Sequence, residues 1–156
     1  MDLIFTIAGL LMTWSLANYL KRESRLLARL ARKKPKEIYA FEVPFSKSQV
    51  LLELKHFVKR NRLGGTYLPR KNKPQLEAWL FESNNTPNLR YPLYIEQVSE
   101  KSTVIEIGAA SLNSAPYILF KSKHKKAAKD LGNHFENAWR RKNIAERLAQ
   151  QSRLGR

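Results

Sequence analysis

The 156-residue sequence predicts an α+β domain behind an N-terminal single transmembrane helix. Three patterns carry that expectation. An uncharged, mostly apolar run fills Leu3 to Leu20, short segments of alternating apolar and polar residues recur between 37 and 121, and helical apolar periodicity appears within and after them. Together they give the order β-α-β-β-β-β-α after the anchor, an antiparallel sheet covered on one face by helices.

The anchor rests on length. Eighteen residues without a charge, at 1.5 Å each, cover roughly 27 Å of helix against a hydrocarbon core of about 30 Å. Trp14 and Tyr19 sit toward the charged end, as interfacial rings do. Only Met1 and Asp2 precede the run and no small-x-small site follows it, which argues against a cleaved signal; the lack of Arg within it argues against a mitochondrial presequence. From Lys21 to Lys36 the chain carries eight Lys or Arg and one Glu. By the positive-inside rule this cluster, with Lys21, Arg22, Arg25 and Arg29 orienting the anchor, places the N-terminus outside and residues 21–156 in the cytoplasm. Leu26, Leu27 and Leu30 at helical spacing suit a basic helix resting on anionic headgroups and ended by Pro35.

The body begins with "EIYAFEV" at 37–43, whose alternation predicts a strand. Ser46 and Gln49 have the spacing of a capping box, and Phe45 and Val50 that of a hydrophobic staple. The stripe Val50, Leu51, Leu54, Phe57, Val58 then predicts a helix that stops at Gly64. "GGTYLPRKNKPQ" reads as an exposed loop. Strands are expected at about 75–82, 92–99, 102–110 and 116–121, with a tight hairpin at 99–102. From about His124 the period is helical again, and Phe135 and Trp139 are expected to pack that helix on the sheet. The chain thus divides into an anchor (1–20), a basic juxtamembrane helix or linker (21–36), a cytoplasmic domain (37–142) and a basic tail (143–156).

An apolar fraction of 43% with three Trp excludes a disordered polyelectrolyte. The absence of Cys excludes disulfides, Cys-based zinc sites and thiol catalysis. The net charge of +16 is concentrated at the ends: +6 over 1–36, +2 over 37–120 and +8 over 121–156. Two basic arms on a nearly neutral body point to anionic surroundings, either phosphate backbones, lipid headgroups or an acidic protein.

No constellation meets the first requirements of catalysis. His56, His124 and His134 lack metal-ligand spacing and read as structural or surface residues. Gly64-Gly65 has no phosphate-loop context, Ser111 and Ser114 have no nucleophile elbow, and Glu96 and Glu106 alternate with apolar residues as on any solvated sheet face. Asn84-Asn85-Thr86 matches the glycosylation pattern by chance on this topology.

The function expected from these features is therefore interaction rather than chemistry. The reading is a membrane-anchored interaction or scaffold module, an accessory subunit of a membrane complex, with no cofactor and no metal. Its anion- or partner-binding residues would be Arg70, Lys71 and Lys73, then Lys121, Lys123, Lys125, Lys126 and Lys129, then Arg140, Arg141 and Lys142. Their partners would be anionic lipid or an acidic protein. The second reading is a membrane-tethered nucleic-acid binder without sequence preference. The third is a small enzyme or lipid-handling domain using a sheet cavity. Cations at 121–129 lie near a helix N-terminus, where they oppose the macrodipole by a few tenths of a kcal/mol each, so a bound anion would relieve them.

Overall fold

Alternating apolar residues on two central strands, β4 (Leu89–Ser99) and β5 (Ser102–Gly108), organise the sheet. The computed structural model describes residues 2–60, 65–67, 78–81 and 88–154, and side chains over 11–60, at 80 and over 88–153. β1 (Ile38–Val43) lies outside β5, and β3 (Ala78–Phe81) and β2 (Gly65–Tyr67) continue the sheet beyond β4. The antiparallel order is β1-β5-β4-β3-β2, with β6 (Ala110–Ser111) pairing β4 off that path. The α+β class holds.

One sheet face buries Tyr91, Leu93 and Ile95 of β4 against Thr103, Ile105 and Ile107 of β5. Two helices cover it. α2 (Lys47–Arg60) brings Val50, Leu54 and Phe57, one stripe at i, i+4 and i+7. Its capping box forms as the sequence predicts: the Ser46 N–H donates to Gln49 Oε1 at 3.1 Å, and the Gln49 N–H donates to Ser46 Oγ at 3.4 Å. α3 (Lys121–Leu154) brings Ala128, Leu131, Phe135 and Ala138. Phe135 is buried as expected, whereas Trp139 is 42% exposed and lines a shallow cleft with Phe41 and Val43 of β1.

The other face is covered as well, by the first helix, α1 (Asp2–Arg32). Leu26 and Leu30 of α1 form a second cluster with Tyr94, Ala110 and Leu112. The expectation of a transmembrane anchor, and with it the single-pass topology and the cytoplasmic assignment that followed, is overturned by the length and polarity of the described helices. Among the described residues no helix is long and apolar enough to cross a membrane. Thr13, Ser15 and Asn18 interrupt the apolar character of α1, and further along Leu26 and Leu30 pack against the domain rather than against lipid. Tyr19, read as an interfacial ring, instead receives a hydrogen bond from Arg90 of β4.

Three further expectations change. The segment 116–121 is not a strand: Pro116 leads into a 3₁₀ turn at Tyr117–Leu119, closed by Leu119 N–H to Pro116 O and Phe120 N–H to Tyr117 O, with Ile118 and Leu119 exposed. The residues after 108 bend away to form β6 rather than extending β5, and Gly108 permits that bend's close packing, since a Cβ there would lie 2.8 Å from Pro35 Cγ. Gly65–Tyr67, read as loop, pairs with β3. The helical stop at Gly64, the loop with Arg70, Lys71 and Lys73, and Asn84-Asn85-Thr86 lie outside the described residues.

A basic groove between α1 and the turn after β6

Helical spacing sorts α1 into two adjacent stripes. Tyr19, Glu23, Leu26, Leu27, Leu30 and Ala31 face the domain. Arg22, Arg25, Arg29 and Lys33 fall within roughly an 80° arc beside them. The first stripe is fixed by polar contacts as well as packing. Arg90, only 2% exposed, donates from Nε and Nη2 to Glu23 Oε1 at 3.0 and 2.9 Å, and from Nη1 to Leu89 O at 2.9 Å. Tyr94 donates to Leu30 O at 3.0 Å, satisfying a carbonyl in the last turn of α1. Burial, helped by the Glu106 charge, pushes the Tyr94 hydroxyl well above its ordinary range, so it remains a donor. Lys34 then pairs with Glu106 and lies over the Tyr94 ring.

The second stripe is left along the border of this contact, where it walls a groove. A cleft of about 400 Å³ is lined by Arg29, Lys33 and Lys36 on one side and by Ser111, Ser114 and Tyr117 on the other. A second cleft of about 230 Å³ is lined by Arg22, Arg25, Arg29, Ser111 and Ser114. Arg29 and the two serines belong to both, so the clefts are continuous. Glu37 is the single carboxylate residue among all their lining residues. Arg22, Arg25, Arg29 and Lys33 have no ion-pair or hydrogen-bond partner among the described side chains. Like charges three and four apart on a helix destabilise it by a few tenths of a kcal/mol per pair. A bound anion removes that repulsion.

The wall opposite α1 is a turn. The Ser114 N–H donates to Ser111 O at 3.3 Å, and Ser114 adopts φ 55°, a left-handed conformation that closes the turn. Ser111 Oγ accepts the Asn113 N–H at 3.3 Å, which leaves its own proton available for donation.

The other predicted binding residues fare differently. Lys121, Lys125, Lys126 and Lys129 are exposed and Lys123 half-buried on α3, and none lines either cleft. The cluster at 140–142 is drawn into internal contacts: Arg140 pairs with Glu136, Arg141 lies 3.9 Å from Glu53, and Lys142 sits 5.6 Å from the Phe45 ring centroid. Lys21 is exposed on α1 outside the groove lining. Lys36, Ser111 and Ser114 were not among the expected binding residues, and Lys33 had figured only as part of the basic arm. The Arg22–Arg25–Arg29–Lys33 spacing was the available signal.

The two buried histidines are satisfied within the fold. His124 is fully buried: its Nε2–H donates to Ile107 O at 3.0 Å and its Nδ1 accepts from the Tyr117 hydroxyl at 3.0 Å. His134 Nε2–H donates to both the carbonyl and the carboxylate of Glu53, at 3.1 and 3.0 Å. Burial lowers both His pKa values from the ordinary 6.5 despite the nearby Glu37 and Glu53. Glu96 and Glu106 share a face, but Glu106 is held by Lys34. Among the described residues no group of three or more His, Asp or Glu could hold a metal ion. What the groove offers is oxyanion binding: guanidinium and ammonium charges with hydroxyl donors opposite. Compared with known proteins, the chain matches no family model and no curated relative.

Proposed function

We propose that the chain is an interaction module that binds an acidic segment of a partner protein in the groove between α1 and the turn after β6. One observation carries this reading: the row Arg22, Arg25, Arg29, Lys33, which pairs with no carboxylate among the described residues, lines a continuous groove whose single carboxylate is Glu37. Arg forks hold carboxylates and phosphates in bidentate geometry, which a point-like ammonium does not. A protein segment is favoured over single-stranded nucleic acid because Tyr117 and Phe120 are the aromatic residues in the lining, Phe120 is buried and the Tyr117 ring packs with Phe120 and His124. Bases would find no stacking platform there.

The test is a fluorescence-anisotropy titration of the full chain with a labelled Glu/Asp-rich peptide, at low and physiological salt. Saturable binding that persists at physiological salt, and weakens about tenfold in Arg29→Gln, is expected. Arg29 is chosen because it lines both clefts. Unchanged binding in Arg29→Gln, or tighter binding of single-stranded RNA or DNA with a steep salt slope, contradicts the reading.

A further inference from the structure

Within the groove, the smaller cleft has a composition of its own. Three guanidinium side chains, Arg22, Arg25 and Arg29, and two serines, Ser111 and Ser114, line about 230 Å³, together with Leu26 and Leu112. We infer that this cleft is a seat for a phosphoryl group carried on a phosphorylated segment of the partner protein. The inference rests on the acidic-partner reading and narrows it.

The argument is one of charge density and donor count. A phosphomonoester carries −1.5 to −2 near pH 7 and three acceptor oxygens, whereas a carboxylate or a phosphodiester carries one charge. Three Arg on one helical stripe with no carboxylate among the cleft's lining residues match a dianion better than a monoanion. The serine wall adds neutral donors at the same place. Ser111 is 7% exposed, and its oxygen is oriented by the Asn113 N–H, so its proton is free to turn toward an acceptor. The wider cleft continues from Arg29 to Lys33 and Lys36, where acidic residues flanking the phosphorylated one would lie. An extended phosphodiester backbone would distribute single charges along the groove and would not need three Arg at one end.

The inference is tested on the full chain with three short Gly/Ser/Glu peptides that differ at one position: phosphoserine, serine or glutamate. Anisotropy is measured at physiological salt, with inorganic phosphate, single-stranded RNA and vesicles containing phosphatidylserine as competitors. The phosphoserine peptide is expected to bind about tenfold or more tightly than either of the others. Arg25→Gln and Ser111→Ala should abolish that preference, whereas Lys33→Gln should weaken all three peptides alike. Circular dichroism verifies that each variant is folded, and Arg25 is exposed, so its replacement removes no core contact. Equal binding of the phosphoserine and glutamate peptides overturns the phosphoryl seat while leaving the acidic-partner reading intact. RNA or vesicles displacing the phosphopeptide more effectively than inorganic phosphate also overturns it. Failure of every peptide to bind overturns both.

Discussion

The two long helices are both strongly basic, yet they use their charge in opposite ways. α1 presents Arg22, Arg25, Arg29 and Lys33 along the edge of its contact with the sheet, where a facing turn makes a groove. α3 presents Lys121, Lys125, Lys126 and Lys129 on an exposed helix face that lines neither cleft. Further along, its Arg140 and Arg141 are matched by Glu136 and Glu53. Cations on a convex surface are screened by salt and attract anions of any shape, whereas cations walling a groove select what fits. Net charge alone therefore does not identify a site.

The largest expected effect comes from detaching α1. Arg90→Ala removes the buried partner of Glu23 and Tyr19. It should destabilise the fold by about 3 kcal/mol, measured by urea denaturation. Hydrogen exchange should then accelerate along residues 19–32 while the α3 amides of 124–138 stay protected. Equal acceleration in both helices would show that α1 is not a separable wall.

Acidification should act on the opposite helix. His124 and His134 both lie on α3, and burial lowers the pKa of each below 6.5. Below about that pH the unfolded chain binds protons that the folded chain resists, so stability is full above the unfolded value and falls as pH falls. The slope is at most about 1.4 kcal/mol per pH unit for each His. Groups facing His124 are Tyr39, Tyr91, Tyr117 and Glu37; those facing His134 are Glu53 and Arg141. Denaturation between pH 7 and about 5.5 should show this loss, reduced in His124→Gln. An unchanged slope in that variant would remove His124 from the account. The smallest effect is Glu136→Ala. Its pair with Arg140 is exposed, 55% and 65%, so stability should move by no more than about 0.5 kcal/mol in the same assay.

Much of the domain was legible because its signals are local. The Ser46–Gln49 capping box, the stripe on α2 and the hairpin at 99–102 each depend on residues a few positions apart, and each forms. The groove was not legible as a groove, because its walls are separated by some eighty residues and meet only when Leu26 and Leu30 pack on Tyr94. The basic row itself was visible, and was assigned to orienting an anchor. Glu23 was the overlooked clue: a lone carboxylate within a run of cations, it is the partner of the buried Arg90. The run at 116–121 misled for a related reason, since apolar side chains at Ile118 and Leu119 stay exposed after Pro116 turns the chain.

On the proposed reading, position rather than charge makes α1 the binding helix. This is tested most directly by two triple variants that lose the same charge: Arg22→Gln/Arg25→Gln/Arg29→Gln on α1, and Lys121→Gln/Lys125→Gln/Lys126→Gln on α3. Each is titrated with the same acidic peptide at physiological salt. The account predicts at least a hundredfold loss of affinity for the α1 variant, about 2.8 kcal/mol, and less than threefold for the α3 variant. Equal losses would contradict it, and would make the protein a general attractor of anions.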